Sequence, residues 1–124
     1  MYDPAAVFRA LADPTRLQMV ALITRYREVC VCELEGVLKI TQSKASRHLR
    51  YLLHSGILAD RREGVSVYYR FSESLPREYG IIVKQAVRLI GDDELAVLNR
   101  EFDQFRACRC SSASRVKHET AGLA

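Results

Sequence analysis

The chain has 124 residues and a formal net charge of +4. That length fits one domain with a modest core, and no apolar run approaches the roughly 20 residues needed to cross a bilayer. The opening stretch MYDPAAVFRALAD lacks the basic start and long apolar centre of a secretory signal, so the sequence predicts a soluble cytoplasmic protein with no membrane partner. In that compartment its four cysteines point to thiolate chemistry rather than to structural disulfides.

DPAAVFRALA reads as a short helix, with Asp3 as cap and Pro4 at the first helical position. ADPTRLQMVALIT repeats that grammar with Asp13 and Pro14, and Leu17, Val20, Ala21 and Thr24 form one helical face. CELEGVLK is a short helix or turn ending near Ile40. TQSKASRHLRYLLHSG is the cleanest helix: Thr41 caps it, Ala45, Leu49, Leu52 and Leu53 form its core stripe, and Gly56 stops it. In ILADRREGVSVYYRF the period changes to alternation, which predicts a β-hairpin turning at Gly64, with Val65, Val67, Tyr69 and Phe71 on one side. From Pro76 the pattern is helical again, with stripes at Tyr79, Ile82, Ala86 and Ile90 and, after a break at Gly91, at Leu95, Leu98, Phe102 and Phe105. These elements predict one domain over residues 1–110. The small, polar stretch 111–124 predicts a disordered tail.

Charge is not spread evenly. Residues 41–70 hold six basic and two acidic residues, while the rest of the chain balances, so the whole excess lies in one quarter of the sequence. A concentrated basic segment suits a polyanion partner. A short helix turning into a strong one is helix-turn-helix grammar, and a following hairpin makes it a winged helix. The fold class is therefore mainly α with a small β-hairpin. The outward face of the strong helix carries Gln42, Ser43, Lys44, Ser46, Arg47, His48 and Arg50. Arg and Lys match guanine acceptors in a major groove, Gln matches adenine, and Ser serves bases or phosphates. Arg61 and Arg62 beside the hairpin tip suit phosphate or minor groove. The expected partner is double-stranded operator DNA.

The stretches LADPTRLQMV, VCVCEL, TQSKASRHLRYLLHSGIL and DRREGVSVYYRF, in this order over roughly residues 5 to 72, resemble the ArsR/SmtB family of bacterial metal-sensing repressors. The resemblance implies a winged-helix homodimer that binds a palindromic operator and releases it when a metal or metalloid binds, with terminal helices at the dimer interface. It implies no enzymatic activity.

Cys30 and Cys32 lie one residue apart, and a second C-x-C lies at Cys108 and Cys110. On a regular helix i and i+2 are about 200° apart, whereas in an extended segment they share a side. Both thiols can hold one ion only if the helix start is unwound or distorted. An all-thiol donor set selects soft ions: As(III), Sb(III), Cd(II), Pb(II), Cu(I) or Zn(II). His48 and His54 lie on the DNA-reading helix and His118 in the tail, so the family's histidine-and-carboxylate zinc site has no match. Arsenical members resembling this chain often carry a third cysteine three residues after the pair, and here that position is Glu35. Cys108 or Cys110 could supply the third thiolate for As(III) or Sb(III), from either subunit. All four thiolates would suit Cd(II), Pb(II) or Zn(II). A thiol redox sensor joining Cys30 or Cys32 to a tail cysteine is the alternative chemistry. A thiol oxidoreductase is disfavoured, because the chain lacks C-x-x-C, a βαβ pattern and a nucleotide loop.

Overall fold

The computed structural model describes residues 2–121, with side chains described as far as residue 108. Among the described residues six helices and three strands run in the order α1 (Pro4–Leu11), α2 (Pro14–Tyr26), β1 (Glu28–Cys30), α3 (Val31–Leu38), α4 (Gln42–His54), β2 (Leu58–Glu63), β3 (Ser66–Phe71), α5 (Arg77–Arg88) and α6 (Asp92–Ala121). The side chain of Cys110 and the tail expected from Ser111 lie outside the described side chains. Among the described residues, no helix is long and apolar enough to cross a membrane.

The local signals act as expected. Asp3 accepts from the Ala5 N–H at 3.0 Å, Asp13 from the Arg16 N–H at 3.0 Å, and Thr41 from the Lys44 N–H at 3.2 Å, so each satisfies an orphan donor at its helix start. Strands β2 and β3 pair antiparallel with Glu63 opposite Ser66, leaving a two-residue loop, Gly64–Val65. Gly64 has φ +61°, the positive value that such hairpin turns require. Val65 therefore belongs to the turn and is fully exposed rather than sharing the inward side of Tyr69 and Phe71.

Three features depart from the sequence reading. Residues Glu28–Cys30 form a strand, β1, which pairs antiparallel with β3 and makes the wing a three-stranded sheet of order β1-β3-β2. Three residues carry too short a period to be recognised. Second, α2 is buried over five consecutive residues, Met19 to Ile23, instead of along one stripe. Its neighbours explain this: α1, α4, α5, α6 and the sheet all pack around it. Third, the face of α5 that reaches the core is Val83 and Val87, with Tyr79, Ile82, Ala86 and Ile90 only half-buried beside it.

Two anchors set the position of α4. At its C-terminal end Gly56 turns the chain with φ +86°, and the Tyr2 ring packs where a side chain would project; the Tyr2 hydroxyl donates to the Gly56 carbonyl at 2.8 Å. Along its flank, Arg16 of α2 donates to the carbonyls of Ala10 (2.7 Å) and Arg9 (3.1 Å), lies 4.2 Å over the Tyr51 ring, and contacts His48 Nδ1 at 3.2 Å. A guanidinium can only donate, so this contact assigns Nδ1 as acceptor and the ring as neutral. Burial holds the His48 pKa below its ordinary 6.5; Asp13 opposes that shift and Arg16 assists it.

Three expectations follow. Gly56→Ala meets both a left-handed backbone and the Tyr2 ring, so denaturant unfolding should show a loss of about 1–3 kcal/mol. Gly64→Asn, at positive φ but in open space, should cost less than about 0.5 kcal/mol, since Asn tolerates that region. For His48 the folded chain resists the proton that the unfolded chain accepts near 6.5. Its contribution is thus complete above that value and is lost as pH falls below it. Melting temperature followed from about pH 8 to about pH 5 should fall less steeply in His48→Gln than in the parent chain.

Candidate functional site

Helix α4 presents Gln42, Ser43, Lys44, Arg47 and Arg50 as exposed side chains, with Ser46 half-buried, while Ala45, Leu49 and Leu52 are buried beneath. An open depression of about 430 Å³ on this face is lined by Gln42, Ser43, Ser46, Arg47 and Arg50. Polar side chains that share one side of a firmly seated helix can meet base edges together. His48 lies on the flank instead, half-buried against α2.

The wing arginines differ from each other. Arg61 is held by carboxylates: its Nη2 and Nε donate to Glu28 at 2.8 and 3.2 Å, and its Nη1 donates to Glu63 at 2.9 Å. The Arg61 guanidinium keeps the Glu28 carboxyl below its usual range. Arg61 also lies 4.7 Å over the Tyr68 ring. Arg62 is exposed on the same strand.

The thiol pair sits where β1 becomes α3. Cys30 is both the last residue of β1 and the N-cap of α3, with extended φ −86° and ψ 148°. Its sulfur accepts from the Cys32 N–H at 3.4 Å, and the two Sγ atoms meet at 2.6 Å. Cys30 is buried and Cys32 half-buried. The expectation that convergence requires a distorted helix is corrected: one residue in extended conformation at the cap position brings the sulfurs to the same side while α3 stays regular. Cys30 pairs with Tyr68 across the sheet, so the thiols are built into the wing.

Residues outside the predicted set complete this turn. Glu33, only 4% exposed, closes a capping box: its Oε1 accepts from the Cys30 N–H at 2.8 Å. Its Oε2 accepts from Arg106 Nε of α6 at 2.7 Å, and Arg106 Nη2 donates to the Glu28 carbonyl at 2.9 Å. The spacing Cys30-x-x-Glu33 was a readable cap signal with cysteine in the place of serine. Arg106, 73 residues from Glu33, left no local signal. Glu35 is half-buried on α3, and Cys108 is exposed on α6. Among the described residues no group of three metal-type donors forms. The side chain of Cys110 lies outside them.

The sequence profile described as "Bacterial regulatory protein, arsR family" matches residues 13–60. The chain is 48% identical over 84 residues to the arsenic resistance transcriptional regulator ArsR1 of Pseudomonas putida, a match spanning 68% of this chain and 66% of that one. It is 44% identical over 85 residues to the arsenical resistance operon repressor of Escherichia coli, spanning 68% of this chain and 73% of that repressor. Among solved structures, reduced HlyU from Vibrio cholerae superposes with a TM-score of 0.62 at 28% identity, covering 71% of this chain and 88% of that one. HlyU shares the winged-helix fold built here by α3, α4 and the wing. A three-stranded wing behind a basic helix, together with 44% identity over most of a curated repressor, places this chain in the arsR family of bacterial regulatory proteins, which are transcriptional regulators and not enzymes.

Proposed function

We propose that the chain is a cytoplasmic, operator-binding repressor of the arsenical-resistance type, active as a homodimer, which releases DNA when As(III) or Sb(III) binds Cys30 and Cys32. One observation carries this reading. The two thiols converge at the junction between β1, a strand of the wing, and α3, the helix that leads into α4. An ion that draws both sulfurs to itself acts on both DNA-facing elements at once.

In this reading Arg47, Arg50, Lys44, Gln42, Ser43 and Ser46 meet bases and phosphates in the major groove, and Arg61 and Arg62 meet backbone beside it. Arg61 leaves two carboxylates to do so. Because solvent-exposed ion pairs contribute little to stability, a phosphate can replace them at small cost. The homodimer is supported by apolar side chains that one chain leaves exposed: Phe8 on α1, Ile81 and Leu89 at α5, and Val97 on α6. A shallow groove between α1, α2 and α5, lined by Phe8, Leu17, Ala86 and Leu89 among others, continues that surface.

Trivalent arsenic and antimony take soft thiolates, and an inorganic ion needs a third donor. Glu35 is a hard carboxylate and fits poorly. Cys108 or Cys110, from the same or the partner subunit, completes the set in this proposal. Arg106, two residues before Cys108, already reaches the thiol turn, which supports α6 as the element that delivers the third thiolate.

Arg47→Ala should weaken specific operator binding by about 1–3 kcal/mol and relax preference at the base it meets. Arg62→Ala should weaken all DNA alike and lower the salt slope by about one. Fluorescence anisotropy with operator and scrambled duplexes at several salt concentrations separates the two, and a reversed pattern would exchange the roles of helix and wing. For the inducer site, Cys30→Ser and Cys32→Ser should each keep operator affinity in the absence of arsenite and lose arsenite-driven release in a gel-shift assay. Release that survives either change would place the inducer elsewhere.

A further inference from the structure

The carboxylate and guanidinium that enclose the thiol turn have no role in reading DNA or in donating to a soft ion. Glu33 is almost completely buried, and burying a carboxylate is costly unless it is paired and hydrogen-bonded. Here it serves two neighbours: the Cys30 N–H at 2.8 Å and the Arg106 guanidinium, at 2.7 Å from Oε2 and 3.3 Å from Oε1. Arg106 reaches the other side of Cys30 as well, donating to the Glu28 carbonyl at 2.9 Å. One side chain of α6 thus grips the backbone two residues before Cys30 and the carboxylate three residues after it. The Arg106 guanidinium lies 4.7 Å over the Phe102 ring and 5.2 Å over the Tyr26 ring, which restricts its own orientation. Tyr26 in turn stacks on Phe102 at 4.2 Å and donates to Asp103 and the Asn99 carbonyl.

We propose that Glu33 and Arg106 are positioning residues for the thiol pair: their clasp holds Cys30 in the extended cap conformation that turns its sulfur toward that of Cys32, and so makes two-thiol chelation depend on α6. The proposal deepens the inducer reading and rests on it. The physical reason is the choice of conformations open to Cys30. As a helical residue it would point about 200° away from Cys32. As an extended residue it shares a side with it. The Glu33 bond to the Cys30 N–H exists only when Cys30 is the cap, and Arg106 holds that carboxylate in place. Groups that orient a metal's ligands without touching the metal govern affinity in the same way.

The test uses the full chain and phenylarsine oxide, a trivalent arsenical that needs only two thiols. In the step, the arsenic–oxygen bonds give way to two As–S bonds, the two thiol protons leave with the oxygen as water, and arsenic remains trivalent. Binding is followed by titration and mapped to the peptide containing Cys30 and Cys32 by mass. Arg106→Met keeps an apolar stem over Phe102 and Tyr26 but removes the clasp. It should weaken chelation about tenfold or more, and Arg106→Lys, which restores charge without the fork, should recover part of the loss. Operator affinity without arsenical should stay within about twofold of the parent, and iodoacetamide, which needs one thiol at a time, should label Cys32 as fast as before. Parent-like chelation in Arg106→Met overturns the proposal. So does a combined loss of operator binding, melting temperature and chelation, which would make the pair a structural brace only. Arsenite-driven release that persists in Cys30→Ser would overturn the inducer reading, while the chelation titration would still decide the clasp.

Discussion

A single buried carboxylate organises the part of this protein that matters most. Glu33 lies in a position where an unpaired charge is not tolerated, and breaking a buried pair costs about 3–5 kcal/mol; the Arg106 side of the pair is 38% exposed, so the cost here is below that range. The carboxylate still requires a cation from elsewhere in the chain. Among the described residues that cation is Arg106 of α6, an element packed across α3. Phe105, one residue earlier on α6, packs its ring where a side chain at residue 36 would stand, so Gly36 leaves room for that ring beside Arg106. The thiol turn, the close crossing and the ion pair are one arrangement.

The wing follows from the same turn. Because Cys30 is extended at the start of α3, the two residues before it continue as β1 and add an edge strand to the hairpin. The sheet then carries the sulfur of Cys30 on one strand and the arginines beside the tip on another. Glu28, at the start of β1, holds Arg61 on β2 across the sheet. The thiol pair is therefore joined to the wing by a strand and to α4 by α3 and the short connection from Lys39 to Thr41. A change at the sulfurs does not have to cross a core of close-packed side chains to reach either surface.

Much of this was legible in the sequence because it depends on neighbours along the chain. Asp3-Pro4, Asp13-Pro14 and Thr41 mark helix starts through bonds to N–H groups two or three residues ahead. Gly64 marks a hairpin because only a positive φ closes a two-residue loop. The stripe Ala45, Leu49, Leu52 and Leu53 on α4 was readable from period alone; its first three members are buried as expected and Leu53 is half-buried beside them. Where a helix has several partners the period fails: α2 is surrounded, so Met19 to Ile23 are all buried and no stripe is left to read.

The sequence alone therefore set the winged helix-turn-helix order, the basic face of α4 and the existence of two thiols at one turn, since each is written in residues close together and rests on hydrogen-bonding and burial rules of short range. The tertiary structure decided how those thiols are held. A three-residue strand has too few positions to show a period and exists only because β3 pairs with it. The Glu33–Arg106 pair joins residues 73 apart, and nothing near either one foretells the other. Buried charge is satisfied by whichever partner the packing brings within about 3 Å, and that choice belongs to the folded chain.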